Sequence, residues 1–269
     1  MSGQKNKAGA IRVGIGGWTY EPWRNNFFPA GLKHAEELAY ASRHVTSIEV
    51  NGTYYRTQSP ASFRRWAAET PDDFVFSLKA SRYATNRKDL GEAGPAITRF
   101  VESGITELGS KLGPILWQLA PTKKFEAAEF GGFCALLPKA QDGLRLRHVL
   151  EVRHPSFVSA AFVALAREHG VAICLAVSDD YPLIADATAD FVYLRLQTST
   201  ADHEAGYDQT AIERFAAHAK TFAAGKTPAD LPMQAPPLPA AQRDCFVYFI
   251  SGAKERNPAA AHLLIAALT

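Results

Sequence analysis

Glu49-Val50-Asn51 and Glu151-Val152-Arg153 share one spacing: two polar groups, two residues apart, interrupting apolar runs of β type. In an extended strand, residues i and i+2 share a face, so each pair projects to one side. Lys79, Gln118 and Arg195 hold comparable places at the ends of Phe74-Val75-Phe76-Ser77-Leu78-Lys79, Pro114-Ile115-Leu116-Trp117-Gln118-Leu119 and Phe191-Val192-Tyr193-Leu194-Arg195-Leu196. Asp179 and Ser251 each come just past a further apolar run. Brought together, Glu49 and Glu151 would form a general acid/base pair or a retaining-glycosidase pair. Lys79, Arg153 and Arg195 would hold a phosphate or carboxylate, the arginines through bidentate contacts, while Asn51 and Gln118 orient the ligand. Lys79 would also form a Schiff base if a dry pocket lowered its pKa. Burying an unpaired charge is costly, so the same residues could instead pair with one another and simply close the structure.

A divalent metal is the competing chemistry. Glu49, Glu151, Asp179 and His154 offer oxygen and nitrogen ligands from different strand ends. Against it, the sequence has no HxH or HExxH spacing, and the nearby Lys and Arg would repel a cation, so no cofactor is the first expectation. The other histidines read as surface or capping groups. Among the aromatic residues, Trp18 and Tyr20 are expected to wall the pocket, with Tyr54 beside it, while Phe27-Phe28-Pro29 reads as core. Residues 81–88 interleave Arg82, Arg87 and Lys88 with Tyr83 and form the one nucleic-acid-like stretch. Such a run is usually a solvated loop.

The elements that must carry these groups alternate. Strand-like runs near residues 11–17, 45–51, 74–79, 114–119, 148–153, 171–177, 191–196 and 245–250 are separated mostly by helical patterns, the first at 34–43, and by a long polar loop at 80–94. Ser59-Pro60 opens a helix with Phe63 and Trp66 on its apolar face, and Gly170 closes another. Eight such units predict an α/β fold, a single (β/α)8 barrel whose strand ends share one face. An open doubly wound sheet is the rival, but Gly14-Ile15-Gly16-Gly17 is not a GxGxxG fingerprint. Residues 225–241 contain five prolines and read as an extended surface loop. Residues 1–10 read as a polar disordered tail without an apolar signal segment, and 11–269 as one domain.

With 269 residues and 47% hydrophobic content, the chain can bury a large core. Its 29 basic and 27 acidic residues leave a net charge of +2, so bulk charge makes no case for nucleic acid. The three cysteines are isolated, as buried thiols in a reducing cytoplasm would be. A cytoplasmic protein with a small anionic partner is expected. Nucleic acid is the less favoured partner, and no membrane is expected; the oligomeric state is left open.

The sequence resembles the DUF72, or YecE-like, family. The resemblance rests on Gly16-Gly17-Trp18-Thr19-Tyr20 with Trp23 and Phe27-Phe28-Pro29, on Ile48-Glu49-Val50-Asn51-Gly52-Thr53-Tyr54-Tyr55-Arg56, and on the Lys79 and Gln118 strands. Glu151-Val152-Arg153-His154-Pro155-Ser156-Phe157 and Tyr193-Leu194-Arg195 complete it. It implies a TIM-type barrel with pocket residues at Glu49, Asn51, Lys79, Gln118, Glu151, Arg153, Asp179 and Arg195, and no defined activity. Three outcomes follow: an enzyme, of hydrolase or isomerase/lyase type, or binding protein for a phosphorylated or carboxylated sugar-like ligand; a metal-dependent phosphodiesterase similar to endonuclease IV; or a non-catalytic sensor. The chain departs from the family pattern at Gln197-Thr198 (His-Gly), Phe249-Ile250-Ser251 (Phe-Asn-Asn) and Leu119-Ala120-Pro121 (Leu-Pro-Pro).

Overall fold

The computed structural model describes residues 8–269. Its strands are β1 (Ile11–Gly16), β2 (Ser47–Val50), β3 (Val75–Lys79), β4 (Leu112–Gln118), β5 (Ala140–Gln141), β6 (Leu144–Arg145), β7 (His148–Glu151), β8 (Ala172–Val177), β9 (Phe191–Leu196) and β10 (Asp244–Phe249). Eight of them close into a barrel in the order β1-β10-β9-β8-β7-β4-β3-β2, with β2 pairing back to β1 and every pairing parallel. The (β/α)8 architecture expected from the alternating pattern is present, with helices packed outside the ring. No helix among the described residues is long and apolar enough to cross a membrane.

The period of two along each strand sorts side chains into two cores. Inside the ring lie Val75, Leu116, Val149, Cys174, Tyr193 and Tyr248. Between ring and helices lie Ile48, Phe76, Trp117, Leu150, Leu194 and Val247, among others. The barrel axis is crowded because two tyrosines stand in it. Tyr248 O lies 2.7 Å from Ser47 Oγ, and Tyr193 O lies 2.7 Å from Ser77 Oγ, which supplies hydroxyl partners for otherwise stranded phenols. Gly14 makes the room. A Cβ there would stand 2.0 Å from the Ser47 carbonyl oxygen and 3.2 Å from the Tyr248 ring.

Local signals acted largely as expected. Ser59 Oγ accepts from the Ser62 amide at the start of Pro60–Glu69, and Gly170 ends Ala160–His169 at φ +64°. Several segments differ. Residues 34–43 form a 3-10 turn and the short helix Glu37–Ala41 rather than one helix. The loop after β3 contains one helical turn, Arg82–Thr85, capped by Ser81, and a 3-10 turn, Leu90–Ala93. The β5–β6 hairpin was not anticipated; Asp142 (φ +48°) and Gly143 (φ +78°) are the Asp-Gly pair that a two-residue primed turn requires. The proline-rich segment carries no regular structure, as its composition predicts, but it is tied down. The buried Asp186 carboxylate accepts from the Gln234 and Ala235 amides at 2.9 and 3.0 Å. Of the expected N-terminal tail, residues 1–7 lie outside the described residues. Gly9 and Ala10 are already joined to the barrel, bonding to the Ala223 carbonyl, the Asp244 carboxylate and the Cys245 amide.

Candidate functional site

Arg195 organises the carboxyl-terminal end of the barrel. In β9 it stands level with Ala176 of β8 and Tyr248 of β10, with its side chain inside the ring. Its Nε and Nη2 donate to the two oxygens of Glu49 at 3.0 and 3.1 Å, a bidentate clamp. Its Nη1 donates to Glu151 Oε2. Glu151 accepts two further bonds, from Gln118 Nε2 (2.9 Å), its partner in the β4–β7 register, and from Arg153 Nε (3.0 Å). The Tyr193 hydroxyl donates to Glu49 Oε2 at 2.7 Å. Both glutamates are 0% exposed and Arg195 is 2% exposed.

A buried ion triad holds only where its hydrogen bonding is nearly complete, because desolvation otherwise exceeds the attraction. Here each carboxylate oxygen has a donor. Burial alone would push the Glu151 carboxyl up, but Arg195 and Arg153, with the Gln118 amide, outweigh it and hold it below the ordinary range. Burial likewise opposes the Arg195 charge, yet Glu151 and Glu49 push its pKa above that of a free guanidinium. Burial and then Glu49 raise the Tyr193 phenol. The geometry therefore gives Glu49 and Glu151 an occupation other than proton transfer: they clamp Arg195 in a dry floor.

Above this floor opens a cavity of about 320 Å³. Lys79, Arg153, Lys254, Asn51, Gln118 and Ser251 are among its lining residues. Lys79 is only 8% exposed, and its ammonium stands 4.2 Å from the centroid of the Tyr54 ring. Among the described residues the ammonium has no hydrogen-bond or salt-bridge partner, while the Lys79 carbonyl accepts from Thr53 Oγ1 at 2.7 Å. Burial first, then the Arg195 charge, lower its pKa to about 8, with Glu49 and Glu151 pulling the other way. Lys254 lies 4.3 Å over the Tyr20 ring, and burial lowers its pKa too. Arg153 stacks 4.2 Å over Tyr181 and bonds to its hydroxyl at 3.3 Å. Four cationic side chains thus meet two carboxylates, and the mouth carries an excess of positive charge. Two wider hollows of about 600 and 610 Å³ lie outside the barrel mouth, but neither has a buried charged floor.

The barrel thus gathers Glu49, Glu151, Lys79, Asn51, Gln118, Arg153 and Arg195 at one end, with Tyr54 beneath Lys79. It does not bring Asp179 there: that residue is exposed and does not line the cavity. Trp18 and Tyr20 wall a neighbouring hollow of about 410 Å³ that shares Gly16, Asn51 and Lys254 with the mouth. Phe27 and Phe28 are buried core. The alternative metal set is not assembled. His154 caps the turn Pro155–Phe157, with Nδ1 accepting from the Ser156 amide, and Arg195 occupies the space between Glu49 and Glu151. Among the described residues, no three His, Cys, Asp or Glu side chains are grouped to hold a metal ion. Sequence reasoning missed Lys254, Tyr181 and the Tyr193 hydroxyl. The parity of Tyr193 with Arg195 could have revealed the last, and the place of Lys254 in the loop after the eighth barrel strand could have revealed the first.

A sequence model described as "Protein of unknown function DUF72" matches residues 12–269. The chain belongs to the DUF72 family. Its fold is similar to that of a DUF72 family protein from Thermotoga maritima MSB8, at 20% identity over 96% of this chain and 99% of that one, with a TM-score of 0.73. It is also similar to a DUF72 family protein from Enterococcus faecalis V583, at 15% identity over 97% and 98% of the two chains, with a TM-score of 0.70. At these identities the likeness bears on the fold. No curated protein matches the chain. Ser251, just past β10, is a non-glycine residue at φ +67°, a conformation that Asn tolerates better.

Proposed function

We propose that the barrel mouth of this DUF72 protein binds a small anionic compound, phosphorylated or carboxylated and sugar-like. The observation that carries this reading is the pair of ammonium groups, Lys79 and Lys254, that line the cavity without a carboxylate partner among the described residues. Arg153 supplies a third cation, since only its Nε is spent on Glu151 and Nη1 reaches Tyr181. Asn51 and Gln118 add amides that would orient hydroxyls. A volume of about 320 Å³ suits a small molecule rather than a polymer, being at the lower end of the roughly 300–1,000 Å³ range of ligand pockets.

A thermal-shift series with inorganic phosphate, sugar phosphates and the matching neutral sugars tests this reading. A ligand at 100 times its Kd stabilises by about 2.7 kcal/mol, which corresponds to a Tm rise of roughly 5–10 °C in a protein of this size. The anionic compounds should raise Tm and the neutral sugars should not, and Lys254→Met should abolish most of the shift. Equal shifts with neutral sugars, or an unchanged response in the variant, would refute an anion site.

A further inference from the structure

A buried amine in a cavity, free of hydrogen-bond and ion-pair partners, is a nucleophile as well as a cation. Lys79 meets that description at the carboxyl end of β3, where barrel geometry aims side chains at a bound molecule. Its stem is enclosed, and the Tyr54 ring holds its nitrogen on one side at 4.2 Å. Arg195, the charge that acts on it most strongly, is fixed in place because both glutamates clamp it. The other charged groups acting on Lys79 are Glu49, Glu151 and Arg153. Both carboxylates are already committed to arginine, so neither is left to hold the amine as an ion pair.

We propose that Lys79 forms a Schiff base with a small aldehyde or ketone that carries a phosphate, the phosphate being held by Arg153 and Lys254. This rests on the anion-binding reading above and adds the reacting group. In the step, the Lys79 nitrogen bonds to the carbonyl carbon. The carbon–oxygen bond then breaks, and the oxygen leaves as water with the two amine protons, so no oxidant or reductant is needed. The cavity supplies what the step requires: a cation site to anchor the phosphate, and an amine that is half neutral near pH 8. An ordinary lysine, with a pKa near 10.4, is neutral to only about 0.4% at that pH, so Lys79 has roughly a 100-fold advantage in reactive amine. Lys254 is the less suited of the two ammonium groups, because it is only partly buried and lies against Tyr20.

The test is reductive trapping of the full chain with dihydroxyacetone phosphate and sodium cyanoborohydride, read by intact mass and peptide mapping. Hydride from the reagent goes to the imine carbon and a proton from water to nitrogen, leaving a stable secondary amine. A single adduct at Lys79 is expected, competed away by inorganic phosphate, with labelling rising about 50-fold from pH 6 to pH 8 as the amine deprotonates. Lys79→Arg should lose the adduct, and Lys254→Met should lose most of the phosphate-induced Tm rise. Phosphate stabilisation with no adduct at Lys79 would overturn the Schiff base and leave the anion site standing. An adduct that phosphate does not displace, with no phosphate-induced Tm rise, would overturn the anion site instead. Labelling spread evenly over surface lysines would overturn the proposal.

Discussion

Replacing Arg195 with methionine isolates what the charged floor contributes. The change removes a 2%-exposed guanidinium from between two carboxylates that are themselves fully buried. Glu151 keeps Arg153 and Gln118, whereas among the described residues Glu49 keeps only the Tyr193 hydroxyl. Breaking a buried ion pair from one side costs about 3–5 kcal/mol, because the remaining charge has lost its partner. Against a total stability of about 5–15 kcal/mol, that is a large fraction. One carboxylate of the pair then sheds its charge by taking up a proton in the folded state. The folded protein thereby binds more protons than the unfolded chain above about pH 4.3, so stability falls as pH rises, by about 1.4 kcal/mol per unit. Urea unfolding at pH 5 and pH 8, followed by circular dichroism, should show the variant far weaker at pH 8 and closer to wild type at pH 5. The triple change Glu49→Gln, Glu151→Gln and Arg195→Met should recover most of the loss. A single-variant loss below about 1 kcal/mol, or one of equal size at both pH values, would refute the view that these charges depend on one another.

Two further outcomes follow from other sites. His148 is buried and neutral, accepting from Trp117 Nε1 and bonding through Nε2 to the Pro138 carbonyl, and burial lowers its pKa to about 4. Because the folded-state value lies below the unfolded one, stability is held above about pH 6.5 and lost as pH falls towards 4, by roughly 3 kcal/mol in all. His148→Gln should flatten that part of the stability–pH curve; a curve that keeps its slope would remove His148 as the cause. Two residues past β10, Ser251→Asn should relieve left-handed backbone strain and raise stability by about 0.5–1 kcal/mol, a Tm gain of roughly 1–4 °C. A lower Tm would mean that the Ser251 conformation carries no strain.

The barrel was legible because its signals are local and repeated. β9 matches the apolar run at 191–196, and β8 and β10 fall within a residue of the runs that announced them. Polar residues at strand ends also located the mouth, since barrel topology forces those ends onto one face. What the sequence could not express is who pairs with whom. Glu49 and Arg195 are 146 residues apart, and nothing in either neighbourhood says that the arginine will take both carboxylates. An acid/base pair and an arginine clamp share a residue list and differ only in distance. Asp179 misled for a related reason: two positions past β8, the chain has already turned, and parity no longer says where a side chain points. Residues 34–43 illustrate a third limit, since a helical pattern does not reveal where a tight 3-10 turn will replace it.

The clamped arginine separates two jobs that many sites combine. What keeps the strand ends in place sits below, buried and hydrogen-bonded; what would meet the proposed ligand sits above, on Lys254, Arg153 and the short segments around them. On that proposal, a ligand would find its field already oriented and need not rearrange the floor on arrival. Changes at the rim would then alter the charge and shape of the mouth without removing the contacts that hold the strand ends together.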